Sequence, residues 1–229
     1  MDTNIKSPQQ FVHSAYLCKL SVPWLRIGIH AVGIFPVLEI AIRYFFNRLT
    51  INPIQYLEQF FGLAAINMLI LALAVTPIYI VTGWKQIVKH RRALGLYSFL
   101  YFALHFIVFV AVDYQFDLHE IIRQTLEKPF ILVGLVAGIL LLALAVTSFR
   151  YWMKHLGRKW SILHRAVYAI GLLAVLHFAM AVKGSLGTLS GDIARPLLSG
   201  LVVILLLLVR IPWIRRKIIS IRRGVQDRL

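Results

Sequence analysis

Six runs of roughly twenty apolar residues, parted by short charged segments, decide what this chain can fold into. Crossing a hydrocarbon core of about 30 Å at about 1.5 Å per residue takes about 20 helical residues. The runs fall at Trp24–Phe45, Phe60–Val81, Ala93–Val112, Pro129–Phe149, Ser161–Val182 and Pro196–Ile211. Inside lipid the backbone has no water to bond, so each run must satisfy its own N–H and C=O groups as a helix. The expected fold is all-α: an integral membrane bundle of six helices over residues 24–211, preceded by a segment 1–23 and followed by a basic tail 212–229. Composition agrees, being 59% hydrophobic and 15% charged, where a soluble domain carries about a quarter charged residues.

The formal net charge of +16 does not point to nucleic acid. A nucleic-acid binder spreads Lys and Arg over a polar face, whereas here they sit in clusters between apolar runs, as at an anionic lipid surface. Segments 1–23, 83–92, 150–160 and 212–229 hold sixteen Lys and Arg, and the alternate segments 43–59, 113–128 and 183–195 hold six. The alternate set also carries Glu58, Asp113, Asp117, Glu120, Glu127 and Asp192. The positive-inside rule then places both termini in the cytoplasm. Cys18, the single cysteine, supports neither a disulfide framework nor a cysteine metal site. No small-residue cleavage pattern follows the first apolar run, so a cleavable signal is not expected.

Pro129 and Pro196 stand where a first helical turn tolerates proline, while Pro36 and Pro77 fall inside helices and predict local kinks. Residues 113–128 can form a short amphipathic surface helix through Phe116, Leu118, Ile121, Ile122 and Leu126, and the tail from Trp213 reads as an interfacial basic helix. No internal repeat, low-complexity run or soluble domain stands out.

Polar side chains at membrane depth are costly and therefore informative. They are His30, Glu39, His105, His164, Arg165, Tyr168 and His177, while His13, His90, His119 and His155 fall in aqueous segments and are expected at the surface. His105 lies twelve residues beyond Ala93 and His177 sixteen beyond Ser161, about 18 and 24 Å along two helices of the same direction. Two imidazoles at matching depth can bind a haem iron axially. The alternative is an interhelical hydrogen bond from each. His164, thirteen residues before His177, lies about 20 Å nearer the cytoplasmic face and cannot share its iron. His30 sits in that inner half, as a cofactor neighbour or a helix–helix bonder, and Tyr168, one turn after His164, either bonds a cofactor or packs. Zinc is disfavoured for want of further ligands at the His105 level.

Several strings resemble a known family. They are Arg91-Arg92-Ala93-Leu94-Gly95-Leu96 leading to Leu104-His105, and Gly157-Arg158-Lys159-Trp160-Ser161-Ile162-Leu163-His164-Arg165-Ala166-Val167-Tyr168 leading to Leu176-His177-Phe178. Ile29-His30-Ala31-Val32-Gly33 with Pro36, and Val75-Thr76-Pro77, add to them. Over roughly residues 20–225 the chain resembles the MsrQ (formerly YedZ) family, haem-binding membrane subunits of the protein-methionine-sulfoxide reductase system in the ferric-reductase-like transmembrane group. The resemblance implies electron transfer across the bacterial inner membrane with one or two b-type haems and flavin mononucleotide (FMN). It implies electrons from quinone or a cytoplasmic flavin reductase, and a periplasmic molybdopterin-dependent reductase as acceptor. It makes His105 and His177 axial ligands of an outer haem, and His164 a ligand at an inner site with Arg91 as ligand or propionate partner. Some relatives carry histidine in a His-Phe-x-Gly string at the start of helix two, where this chain has Gln59-Phe60-Phe61-Gly62. A proton-relay transporter, a passive membrane anchor and a ferric reductase are the competing readings. The first lacks evident repeats, and the last usually brings a flavin domain that a tail of about 17 residues has no room for.

Overall fold

The computed structural model describes residues 8–182, 184–185, 190–191 and 193–226, with side chains from Trp24 to Val182 and from Ile193 to Gly224. The expectations for the side chains of His13, Cys18, Lys183 and Asp192 lie outside the described residues. In chain order the helices are α1 (Pro8–Phe45), α2 (Pro53–Thr82), α3 (Arg91–Ile107), α4 (Leu118–Glu127), α5 (Pro129–Val146), α6 (Arg150–Leu156), α7 (Arg158–Leu163), α8 (Val167–Ala181), α9 (Ala194–Leu208) and α10 (Pro212–Gln226). A 3-10 segment, Lys85–His90, leads into α3, and a π segment, Val108–Asp113, extends it. A further 3-10 turn, His164–Ala166, joins α7 to α8. Among the described residues the only strand pairing is Gly184–Ser185 with Ser190–Gly191.

Five helical stretches are long and apolar enough to cross a membrane: Trp24–Phe45, Pro53–Thr82, Lys85–Asp113, Pro129–Val146 and Arg158–Ala181. The sixth expected span differs from the reading above. Helix α9 has 15 residues, about 22 Å, and meets α10 at a 76° bend, so the pair counts as a sixth crossing only if taken together. Helix α1 also starts earlier than expected, at Pro8, and α2 starts at Pro53 rather than Phe60.

Local chemistry sets these boundaries. The Asn52 side chain accepts a bond from Gln55 N–H, and Pro53 occupies the first turn of α2, where its missing N–H costs nothing. Gly83, at φ 77°, ends α2 in the left-handed conformation that glycine adopts freely. Asp117 caps α4 through Glu120 N–H, so the expected amphipathic helix forms. Pro77 lies within a continuous α2. Proline cannot donate to the carbonyl four residues earlier, here Leu73, and an Arg210 N–H from the α9–α10 bend supplies the bond at 2.6 Å.

Helix α2 is the most enclosed element, with half of its most apolar stretch buried. One face joins α3 through Phe61, Ala64, Met68, Ala72, Val75, Leu94, Tyr101 and Val108. Another joins α5 and α8 through Leu69, Leu73, Leu141, Leu144 and Ile170. Helix α1 is peripheral: Gly33 receives the Tyr97 ring and the Tyr101 hydroxyl, while most of its apolar side chains are exposed. Exposed Leu, Ile and Phe along α1, α5, α8 and α9 are what a lipid-facing surface looks like.

Candidate functional site

His105 stands near the end of α3 and His177 near the end of α8. Each ring is held by a backbone carbonyl of the helix its own helix packs on. His105 Nδ1 lies 2.9 Å from the Glu58 carbonyl of α2, and His177 Nδ1 lies 2.7 Å from the Phe130 carbonyl of α5. A carbonyl only accepts, so both Nδ1 atoms carry the proton and Nε2 is the lone-pair nitrogen of each ring. The two ring centres lie 6.2 Å apart, with the planes at 76° in an edge-on arrangement.

That spacing fits an ion between them. Two metal–nitrogen bonds of about 2 Å, plus about 1 Å from each nitrogen to its ring centre, put ring centres roughly 6 Å apart. Neutral imidazoles with a second hydrogen bond fixing the tautomer are the usual form of a histidine ligand. Among the described residues no group of three or more His, Cys, Asp or Glu could hold a metal. Two axial nitrogens suit a metal whose remaining ligands come from a macrocycle, as in haem.

His164 belongs to a different level. Its Nε2 lies 3.2 Å from Thr147 Oγ1 just past the end of α5, and its ring stacks on Trp160 with centres 4.1 Å apart. Phe130 and Thr147 are 17 residues apart, about 25 Å along a helix, so the two levels are well separated. The Thr147 hydroxyl donates to the Ala143 carbonyl at 2.6 Å, which leaves His164 Nε2–H to donate to the threonine oxygen. Trp160 Nε1 donates to the Thr147 carbonyl. His164 also opens a 3-10 turn, so His164 and His177 are not joined by one ideal helix.

The remaining sequence candidates divide between the levels. Arg91 lies within electrostatic reach of His164 and of Arg210. The Tyr168 hydroxyl accepts from Arg210 at 2.8 Å, and the guanidinium carbon sits 4.9 Å from the Tyr168 ring centre. His30 is apart from both levels: its Nδ1 meets the Tyr97 hydroxyl at 2.8 Å on the α1–α3 interface. His90, expected at the surface, is instead buried, because the 3-10 segment before α3 turns it inward toward the His30 side. His119 and His155 are exposed as expected, and Gln59 is exposed too. Arg210 escaped the sequence reading. Its signals were a charge inside the run that ends at Ile211, and Pro77, which leaves the Leu73 carbonyl without its helical donor.

Comparison with known proteins follows the same lines. The family model described as ferric reductase like transmembrane component matches residues 61–175. The chain is 42% identical over 172 residues to the protein-methionine-sulfoxide reductase heme-binding subunit MsrQ of Bordetella parapertussis, covering 75% of this chain and 81% of that one. It is 35% identical over 186 residues to the MsrQ of Herminiimonas arsenicoxydans, covering 81% and 83%. It is 34% identical over 202 residues to that of Xanthomonas oryzae pv. oryzae, covering 85% and 87%. No solved structure matches. With paired histidines on a ferric-reductase-like helical frame and relatives matched over most of their length, the chain belongs to the MsrQ family of multi-pass membrane proteins.

Proposed function

We propose that this protein is a haem b electron-transfer subunit of the bacterial inner membrane, with six crossings and both termini in the cytoplasm. The observation that carries this is the His105–His177 pair, 6.2 Å between ring centres, with both Nδ1 atoms tied to backbone carbonyls. The printed name of the relatives, heme-binding subunit of protein-methionine-sulfoxide reductase, supports it. In this orientation the paired level faces the periplasm and the His164 level faces the cytoplasm. The transmembrane domain is residues 24–211 and the basic tail 212–229 rests on anionic lipid.

Haem supplies reversible one-electron chemistry when bound. His105 and His177 would hold it through Nε2, with the carbonyls of Glu58 and Phe130 setting the orientation and basicity of the two rings. At the other level His164 would be the ligand of a second site once its ring proton sits on Nδ1 and Nε2 is released from Thr147, with Arg91 and Tyr168 nearby, while His30, on the α1–α3 interface, would be a cofactor neighbour further off. That level would take electrons from quinol or a cytoplasmic flavin reductase, with FMN as a further cofactor. The paired level would pass them to a periplasmic molybdopterin-dependent methionine-sulfoxide reductase. Protein purified in detergent after haem-replete expression is expected to show a b-type reduced-minus-oxidised spectrum and to be reoxidised by that partner. A colourless protein would refute the reading.

A further inference from the structure

The two haem-facing histidines are held by copies of one device. Adding 72 to Glu58, Gly62 and His105 gives Phe130, Gly134 and His177. Each set has the same parts: a carbonyl that accepts from the ring, a glycine one turn later, and the histidine. The tripeptide Leu104-His105-Phe106 recurs as Leu176-His177-Phe178 at the same offset. The hairpin of α2 with α3 and the pairing of α5 with α8 thus repeat one arrangement, although few side chains are shared. The repeat stops at the other level: His164 maps onto Arg92, and the nearby His90 is out of register with it by two residues.

The glycine has a physical reason. In a helix the carbonyl of residue i accepts from the N–H of residue i+4, and one lone pair remains. Side chains lean toward the helix N-terminus, so the side chain at i+4 covers that same carbonyl. Only glycine leaves it open to a second donor. A Cβ on Gly134 would stand 2.6 Å from His177 Nδ1, and one on Gly62 would stand 3.3 Å from His105 Nδ1. The first is a collision and the second a tight fit.

We infer that Gly62 and Gly134 are positioning residues: they uncover the Glu58 and Phe130 carbonyls, which hold both imidazoles as Nδ1–H tautomers and aim Nε2 at the metal. This rests on the haem reading above for its metal, though not for its tautomers. Gly134→Ala is expected to lower haem retention about 10- to 100-fold, as loss of a ligand's supporting bond typically does. Gly62→Ala should retain haem better and raise its midpoint potential, because a less basic ligand stabilises ferric iron less. Gly95→Ala, where a Cβ would meet nothing within 4 Å, should match wild type in both. Wild-type occupancy and an unchanged potential in Gly134→Ala would overturn the inference. Should that variant fail to fold, nitrogen-15 NMR of histidine-labelled, haem-free wild type decides it: Nδ1–H tautomers at His105 and His177 support the inference and Nε2–H tautomers overturn it. If wild type binds no haem, the functional reading falls while the tautomer measurement still judges the glycines.

Discussion

The paired-histidine level and the His164 level are built from different materials. At the first, backbone carbonyls of α2 and α5 hold the rings, glycines make room, and the arrangement occurs twice. At the second, side chains do the holding: Thr147 and Trp160 on His164, and Arg210 on Tyr168. It occurs once. A carbonyl anchor survives substitution of its own residue, since Glu58 and Phe130 do the same task with unrelated side chains. A side-chain anchor has no such tolerance, so the His164 level should respond more finely to point changes outside its histidine.

Removing the histidines tests the separation with the largest effect. His105→Ala and His177→Ala should each abolish the same haem component, and His164→Ala should spare it, read from reduced-minus-oxidised spectra. Loss of an identical component in all three would collapse the two levels into one.

Arg210→Ala comes next. It strips the Leu73 carbonyl and the Tyr168 hydroxyl of their donor, at a cost of about 1–3 kcal/mol in detergent unfolding. Pro77→Ala restores the N–H that Leu73 lacks, so Arg210→Ala should cost less in that background, by about 1 kcal/mol if the carbonyl is what matters. Equal costs in both backgrounds would mean that Arg210 acts through Tyr168 alone.

Thr147→Val is milder. It removes the partner of His164 Nε2, and should shift stability by about 1 kcal/mol or less while leaving the spectrum of the paired level unchanged. The smallest effect belongs to α4, beside the paired level. Its Glu120 carboxyl is held down to about 2 from the usual 4.5, chiefly by the Arg123 hydrogen bond. A lowered value in the folded state means that its contribution is complete above about pH 4.5 and disappears as pH falls through about 2. Hydrogen exchange should show α4 loosening over that acid window, and Glu120→Gln should remove the pH dependence without touching the His164 level.

The bundle was legible in the sequence because lipid imposes one rule on every span, and apolar run length reports it directly. The matching depth of His105 and His177 was legible for the same reason: rise per residue is fixed once direction is known. What stayed hidden depended on partners distant in the chain. His90 looked aqueous beside Lys89 and Arg91, and only the turn before α3 shows that it faces inward. Pro77 announced a kink, but its remedy sits 133 residues later at Arg210. The repeat hid because its conserved atoms are mostly backbone, and only a glycine and a short Leu-His-Phe string leave a trace in the letters. The short α9 and its sharp bend into α10 were masked by apolar residues that run on to Ile211.

The arginines from the C-terminal side carry a consequence for synthesis. Arg210 serves the Leu73 carbonyl, and Arg222 serves those of Tyr79 and Ile80, across 137 to 143 residues of chain. While the ribosome is still making α3 to α9, the C-terminal half of α2 has three carbonyls without these arginine donors. They are supplied only when the last helix emerges, so closure of α2 is among the final events of assembly. A nascent chain halted before Arg210 carries an α2 whose Leu73, Tyr79 and Ile80 carbonyls still lack their arginine donors.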